Sequence, residues 1–467
     1  MTVTQGILNW AVIASMLAGS IGGAQTTDQT VDDLPDYDFS GKEFRILNGA
    51  ATGETSFWWA DEVNGEVVND AVYHRNKGLS ERFNVKITEQ RLVEGDPVQF
   101  IMSSVMAADS AFEIADIDIS ASSQLMLDGY FMNLYDIPYI DFSKDYWDIE
   151  LMGDLAFGDK LYYALSAANL DSYESTHLLA FNKDIEEKYG VSRLMRYDSL
   201  YQIVLDGEWT LDRFYEAAIG ATFDMNGDTM MTGSDSYGYL ATDDDMLAGM
   251  YIGADEVTIS RDDGKLAFAL TGNDRFAELF SFLKTELVND YCWYDGDKAA
   301  LLDMYKNNQG LFVDITLGDV RNMRDFTADF GFLPYPKLDE KQPDYVSRVE
   351  SCNATIVPVS CADVEFVGIM LEAFASHSYA ETLPAYYDVA LKMKYTRDEE
   401  SSEMLDMITS ARTFDLGDAV YGSLVRDKLC ETLRSDECAD LDAALAVFGE
   451  EVEMYIGKVN DIMVEMQ

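Results

Sequence analysis

The chain of 467 residues is poor in histidine, with three, and in cysteine, with five. His74, His177 and His377 are widely spaced and no two cysteines have C-x-x-C spacing, so the sequence has no zinc pattern. Each histidine is interpreted as a core or surface residue. G-x-S-x-G, H-E-x-x-H and P-loop motifs are also missing, which favours a protein without catalytic activity. A hydrolase with two catalytic carboxylates stays open, since such a pair cannot be recognised among 85 acidic residues.

The cysteines lie far from the N-terminus, at positions 292, 352, 361, 430 and 438. An odd number leaves at least one free thiol in an exported protein. Cys430 with Cys438 is the one pair that we consider for a disulfide.

Basic residues are also scarce: 33 Lys and Arg stand against 85 Asp and Glu, for a net charge of −52. Such a field repels nucleic acid and anionic membranes, and it disfavours anionic ligands. A neutral or cationic ligand fits better, although solubility alone also explains the charge.

Apolar runs are short, and the N-terminal one, Ile7–Gly19, has 13 residues. It is too short to span a bilayer and reads as the core of a secretory signal within residues 1–24, although no Lys or Arg precedes it. Leu17-Ala18-Gly19-Ser20 resembles a lipobox with Ser in place of the lipidated Cys, so no lipid anchor is expected. Cleavage after Ala24 or a buried helix are the alternatives. Residues 25–41 read as an acidic linker, and we expect an exported, surface or secreted protein.

Alternating β and α patterns begin at Lys42 and predict a wound α/β lobe. Strands are predicted at 43–47, 84–88 and 113–117, with helices at 67–83 and 96–109 between them. Because the chain is longer than one core usually supports, we expect two lobes. Further elements are predicted as strands at 160–164, 177–181, 310–314, 330–334 and 354–358, and as helices from Thr210, at 276–288 and at the C-terminus.

An ordered series of motifs resembles the extracellular solute-binding proteins of family 1, the carbohydrate-type receptors of ABC importers, in a branch common in anaerobic Gram-positive bacteria. The resemblance covers about Lys42 to Gln467. It is carried by Phe181-Asn182-Lys183-Asp184, Trp209-Thr210-Leu211-Asp212, "FGFLPYP" at 330–336, "ATIVP" at 354–358 and the segment 381–406.

The resemblance implies a two-lobed class II periplasmic-binding-protein-like fold, each lobe a wound sheet flanked by helices. By analogy, crossings between lobes are expected near Ala168-Asn169, Asn353-Ala354 and Ala411. The first lobe would hold 42–168 and 355–410, and the second 169–354 and 411–467. The implied function is a monomeric receptor that closes by hinge motion on a neutral saccharide and delivers it to ABC permease subunits, without an organic cofactor.

Candidate ligand contacts combine aromatic platforms with carboxylates and amides, as sugars require. In the first lobe, Trp58 and Trp59 follow the first strand, and one of the two is expected to pack in the core. Asp118, Ser120 and Ser122 follow the third strand, where capping of the next helix is the alternative. The other candidates are Asn169 and Asp171 at the first crossing, Trp293 and Asp314 in the second lobe, and Phe414, Asp415 and Tyr421 near the third crossing.

The acidic loop of Asp224, Asn226, Asp228 and Asp235 has oxygen-bearing side chains at positions 1, 3, 5 and 12 of a calcium loop. Met230 would add its backbone carbonyl. Thr229 replaces the usual Gly at position 6 and Asp235 the usual Glu, so an ordinary Asx-turn stays open. Any calcium would be structural. Beside the receptor, two further functions stay open, a secreted carbohydrate-active hydrolase and a surface protein that binds peptides or cationic ligands.

Overall fold

The computed structural model describes residues 32–50, 55–92, 96–262, 264–287, 291–294, 296–323, 326, 328–387, 398–435 and 438–466. The signal-like segment 1–24, with its lipobox-like Leu17 to Ser20, and residues 25–31 of the predicted linker lie outside this part of the chain. Within the described ranges, no helix is both long and apolar enough to cross a membrane.

Thirteen strands are found in the described residues. In chain order they are β1 Lys42–Asn48, β2 Val85–Arg91, β3 Ile114–Asp118, β4 His177–Asn182, β5 Tyr237–Ala241, β6 Ile259–Asp262, β7 Lys265–Phe268, β8 Cys292–Tyr294, β9 Gly310–Thr316, β10 Phe330–Leu333, β11 Ser347–Arg348, β12 Asn353–Ile356 and β13 Arg412–Thr413.

The α-helices lie between and after these strands. They are α1 Val67–Phe83, α2 Pro97–Ala107, α3 Ile119–Leu127, α4 Ile149–Asp154, α5 Asp171–Glu174, α6 Lys183–Tyr189, α7 Val191–Leu194, α8 Leu200–Leu205, α9 Leu211–Gly220, α10 Asp243–Gly253, α11 Asp274–Phe282, α12 Lys298–Lys306, α13 Val364–His377, α14 Glu399–Ser410, α15 Leu416–Ala419, α16 Arg426–Arg434 and α17 Leu441–Glu465.

The first lobe is built on a four-stranded sheet in the order β12-β3-β1-β2. β1, β2 and β3 are parallel, and β12 returns antiparallel to β3. α13 covers one face, where Phe44 packs between Phe366 and Phe374 with ring centroids 5.6 and 5.7 Å away. The predicted strand at 160–164 is instead irregular and reaches the sheet edge through one bridge, between Ala164 and Thr355.

The second lobe contains a five-stranded sheet in the order β10-β4-β9-β5-β8. β5 runs parallel to β8 and β9, whereas β4 is antiparallel to β9 and β10. Phe214 of α9 stacks on Phe312 of β9 with centroids 5.0 Å apart. Two α/β sheets, each flanked by helices, confirm the predicted fold class.

The motifs that carry the family resemblance have structural roles in this lobe. The Asn182 side chain accepts a hydrogen bond from the Ile185 N–H and so caps α6. Trp209 is fully buried and donates its indole N–H to the Pro334 carbonyl, 3.0 Å away. These residues therefore position β4, α6 and α9. Their contacts carry no information about which ligand the protein binds.

Three chain segments join the lobes, and short strands β11 and β13 pair in parallel within this hinge, with Ser347 opposite Arg412. The segments 167–176 and 349–352 connect the two sheets near the first two predicted crossings. Helix α14, expected in the first lobe, contacts β10 of the second sheet, and its Ser401 lies 2.8 Å from the Tyr201 hydroxyl. Helix α14 therefore packs on the second sheet, and the lobe bounds as a whole stay a prediction.

All five cysteines are free thiols. Cys430 and Cys438, the pair considered for a disulfide, are both buried and unbridged, so that interpretation is wrong.

Candidate functional site

Charged side chains converge where the strands of the second sheet end toward the hinge. β5 and β9 are parallel, so their carboxyl ends lie at one edge of the sheet, and antiparallel β4 begins at that edge. Asp314 lies on β9, Asp245 in the first turn of the helix after β5, and His177 opens β4. Lys298 opens α12. The sheet order thus brings together residues that are far apart in sequence.

The contacts between these four side chains are short. The His177 Nδ1 lies 3.1 Å from the Asp314 Oδ1, and the Lys298 Nζ lies 3.2 Å from the same oxygen and 3.1 Å from an Asp245 oxygen. His177 and Asp314 are buried, whereas Lys298 and Asp245 are partly exposed. The edge of the sheet therefore carries an ion-pair network that is open on one side.

The hinge adds four more charged residues to this network. Arg348 of β11 donates to Asp245 over 2.9 Å and to both oxygens of buried Asp418. Arg426 donates to Asp418 over 3.0 Å, and Glu350 lies 3.3 Å from the His177 Nε2. We call this set the hinge cluster: His177, Asp245, Lys298, Asp314, Arg348, Glu350, Asp418 and Arg426. Four basic side chains face four carboxylates in it.

The pKa values within the hinge cluster follow from burial and charge together. Burial disfavours the charged imidazole of His177, and Arg348 opposes it too, but Asp314 and Asp245 outweigh both and raise the His177 pKa to about 9. Burial likewise opposes ionisation of Asp245 and Glu350, yet His177 and the neighbouring cations hold both carboxyl pKa values below their usual range. At neutral pH His177 is therefore a cation.

Ligand atoms of His177, Asp245 and Glu350 all lie within 4.8 Å of one another, as a metal site would require. Arg348 and Lys298 already contact Asp245, and a protonated His177 has no lone pair for a metal. These residues fit a charge-balanced network and do not fit a metal centre.

The carboxyl edge of the first sheet meets the hinge cluster at the return segment 349–352. Asp118, at the end of β3, accepts a hydrogen bond from the Ser351 hydroxyl over 2.7 Å, next to Glu350. The Ser120 N–H donates to Ser351, and its hydroxyl donates to the Val420 carbonyl. We call the region where these two carboxyl edges meet the strand-end cleft. Asp118, Ser120 and Asp314 of the predicted ligand contacts lie around it.

The two adjacent tryptophans have different environments. Trp58 is 2% exposed and packs against Phe374 of α13, so it is the one that belongs to the core. Trp59 is only partly buried and donates its indole N–H to Asp61 over 2.9 Å. Trp59 therefore remains the candidate platform on this loop.

Two other predicted contacts are interior residues of the first lobe. Ser122 is fully buried in α3, 3.0 Å from the Tyr163 hydroxyl. Asn169 is 2% exposed and donates to Asp116 and Thr355, each over 2.9 Å. Both side chains are therefore buried near the start of the hinge, and their ligand contacts stay predictions.

Asp171 accepts a hydrogen bond from the Asn353 N–H over 2.7 Å and so joins two hinge segments. Burial and the charge of Asp171 raise the pKa of neighbouring Asp116 to about 7.

The candidates near the third crossing pack inside the second lobe. Phe414 and Tyr421 are buried, the latter beside Tyr455 with ring centroids 5.3 Å apart. Asp415 accepts hydrogen bonds from Tyr251 and from the side chain and N–H of Thr258. Burial raises the pKa of Asp415 to about 6. For these three residues the structure shows a packing role.

Trp293 is partly buried against Tyr237, with ring centroids 5.3 Å apart. Its predicted ligand contact stays a prediction, like those of Trp59, Asp118, Ser120, Asp171 and Asp314.

The acidic loop turns its carboxylates toward its own backbone. Asp224 accepts from the N–H groups of Gly227 and Thr229, and Asp235 accepts from those of Met225 and Thr232. Asn226 and Asp228 each accept from the N–H two residues on, at Asp228 and Met230. These are the bonds of Asx-turns. Calcium binding at this loop stays a prediction.

A cavity of about 1060 Å³ also lies between the lobes, beside the hinge. We call it the interlobe cavity. It is lined from the first lobe and the hinge by 142–150, Ser166, Ala167, Tyr173, Tyr379 and Leu383, and from the second lobe by Val204, Leu205, Gly207, Ile252, 255–257, 343–346, Met407, 409–413 and Asp415. It shares no residue with the hinge cluster, and of the predicted contacts only Asp415 lines it.

Known proteins were compared with the chain by sequence and by structure. No protein-family model matches it, and no curated protein does. Several solved structures match the chain. The galacto-N-biose-/lacto-N-biose I-binding protein of the ABC transporter from Bifidobacterium longum, in complex with lacto-N-biose, has a TM-score of 0.58 at 12% identity, over 90% of this chain and 99% of that one.

Two further structures match over similar lengths. An ABC substrate-binding protein from Listeria monocytogenes in complex with cycloalternan has a TM-score of 0.56 at 13% identity, over 89% of this chain and 99% of that one. A cyclo/maltodextrin-binding protein complexed with maltotetraose has a TM-score of 0.57 at 11% identity, over 91% of this chain and 97% of that one. Identities this low establish the fold alone. The chain therefore has the two-lobed periplasmic-binding-protein-like fold that these binding proteins share.

Proposed function

We propose that the protein is an extracytoplasmic receptor that binds a neutral saccharide or oligosaccharide in the strand-end cleft and delivers it to the permease subunits of an ABC importer. The single observation that carries this proposal is the architecture. Two α/β lobes meet carboxyl edge to carboxyl edge across a hinge, as in saccharide-binding proteins that match about 90% of the chain.

The charges of the cleft wall support a neutral ligand. The hinge cluster places four basic side chains against four carboxylates, although the chain as a whole has a net charge of −52. A balanced wall can donate and accept hydrogen bonds to hydroxyl groups without attracting ions of either sign. Trp59 and Asp118, which are partly exposed, are the residues that we expect to contact the sugar.

Hinge motion follows from the same arrangement. A sugar that touches both carboxyl edges binds the closed form more tightly than the open form and so shifts the equilibrium toward closure. Arg348 and Glu350 lie on the return hinge segment and contact the second lobe, while adjacent Ser351 contacts Asp118 of the first. Closure of the two lobes therefore changes the contacts of Arg348, Glu350 and Ser351 together.

The two alternative functions, a hydrolase and a peptide receptor, would give different experimental results. A carbohydrate-active hydrolase would release products, and a receptor for peptides would be stabilised by peptides. The test is to incubate the protein with a panel of oligosaccharides and peptides and to follow the melting temperature and the reducing ends together. We expect a saccharide to raise the melting temperature without turnover. Released reducing ends, or stabilisation by peptides alone, would refute the proposal.

A further inference from the structure

The interlobe cavity has a charge pattern unlike that of the hinge cluster. Seven carboxylates line it against only two basic side chains, Lys144 and Arg412. Both cations are already paired, Lys144 with Asp33 over 2.5 Å and Arg412 with Asp148. Arg412 therefore offsets Asp148, and Arg275 outside the lining offsets Glu256 over 2.8 Å, so the negative charge of the cavity comes from the other carboxylates.

Four of these carboxylates form an exposed rim on both sides of the cavity. Asp145 and Glu150 belong to the first lobe, and Asp255 and Asp344 to the second. Among the described residues, none of the four has an ion-pair partner within 4.0 Å. Like charges that face each other across a gap repel, so a cation bound between them would be favoured from both sides.

The walls inside this rim are apolar and aromatic. Ile149, Leu205 and Val257 line the cavity, and each keeps between 38% and 44% of its surface exposed to solvent. Six aromatic residues also line the cavity: Phe142, Tyr146, Trp147, Tyr173, Tyr345 and Tyr379. Exposed apolar side chains on facing walls offer contact area to the apolar part of a ligand.

Arg412 shows how this wall holds a cation. Its guanidinium lies 3.7 Å from the centroid of the Tyr173 ring and pairs with the Asp148 carboxylate. A ring face with a carboxylate beside it is the arrangement that binds ammonium and guanidinium groups. Tyr379 and the Asp145 carboxylate also line the cavity, so a second ring and a second carboxylate are available to a cation there.

From the aromatic walls, the acidic rim and this internal precedent, we propose that the interlobe cavity is a second ligand site, which binds an organic cation that carries amine or guanidinium groups on an apolar chain. It is separate from the saccharide site, because the cavity and the hinge cluster share no residue. The two sites therefore differ in ligand class, neutral in the strand-end cleft and cationic in the cavity.

The probe is spermidine, titrated calorimetrically at fixed ionic strength. The test variant carries Asp145→Asn and Asp344→Asn, one substitution in each lobe. The control carries Glu81→Gln and Glu187→Gln, which are exposed, lie away from the cavity and change the net charge equally. All four positions are at the surface, so an unchanged melting temperature establishes that each variant is folded.

We expect saturable binding to the wild type and the control, and affinity about tenfold lower in the test variant, because two exposed carboxylates that attract the cation are removed. Absence of binding to the wild type would overturn the proposal, and so would equal affinity in both variants, which indicates attraction to the acidic surface in general.

Discussion

Arg348 and Asp418 form a two-point ion pair at the hinge, with the guanidinium Nε and Nη2 2.6 and 3.0 Å from the two carboxylate oxygens. Arg348 lies on β11, and Asp418 lies on α15, just after the paired strand β13. Both side chains are almost fully buried. The pair thus ties two of the hinge segments together inside the protein.

Replacing Arg348 with alanine should destabilise the protein strongly. The substitution leaves Asp418 buried without its main partner and removes a cation from Asp245, and a broken buried ion pair typically costs about 3 to 5 kcal/mol. The control is Arg213→Ala, which removes a surface pair with Glu216 and should cost at most about 1 kcal/mol. Urea unfolding of both variants measures the difference, and equal losses would disprove a special role for the Arg348 pair.

The stability of the protein should fall as pH rises from about 7 to about 9.5, because of His177. Its pKa of about 9 in the folded protein lies above the 6.5 of the unfolded chain. Its contribution is therefore fully present below pH 6.5 and is lost as pH rises through about 9.

The gap between the two pKa values corresponds to roughly 3 kcal/mol. Unfolding free energies at several pH values, compared between wild type and His177→Gln, isolate this contribution, with exposed His74→Gln as the control. Parallel curves for wild type and His177→Gln above pH 7 would show that His177 is not the responsible group.

Local sequence patterns predicted the regular elements well where they depend on nearby residues. The helix α1 has the predicted bounds, since its apolar spacing and its cap lie within one segment. Asp314 was a candidate because it lies in a buried strand. The rest of the hinge cluster was missed because His177, Asp245, Lys298 and Arg348 meet only through sheet order and hinge pairing, which no local pattern encodes.

The cavity wall at 142–150 was missed for a related reason. Its aromatic residues read as an irregular segment, and the facing residues come from helix ends and loops that are distant in sequence. The choice between Trp58 and Trp59 was also open, because it depends on where α13, more than 300 positions later in the chain, packs on the sheet.

Two helical glycines should respond oppositely to alanine. In α10, which carries Asp245, a Cβ at Gly249 would overlap the ring of Tyr335, so Gly249→Ala should cost about 1 to 3 kcal/mol. In α1, exposed Gly78 has open space around it, and Gly78→Ala should add about 0.4 to 1 kcal/mol. Thermal and urea unfolding measure both, and a neutral Gly249→Ala would contradict the close packing of α10 on Tyr335.

If the acidic loop binds calcium, a chelator should lower the melting temperature, since a bound ion offsets the repulsion among Asp224, Asp228 and Asp235. Asp228→Ala should abolish that sensitivity. A melting temperature that is the same with chelator and with added calcium would establish the loop as an Asx-turn only.

The central claim is that a neutral saccharide binds between the two lobes and closes them. Small-angle X-ray scattering of the protein with and without the saccharide selected by the melting-temperature panel tests it most directly. We predict a smaller radius of gyration in the bound state, because a ligand that contacts both lobes favours the closed form. An unchanged radius of gyration at saturating saccharide would contradict the account.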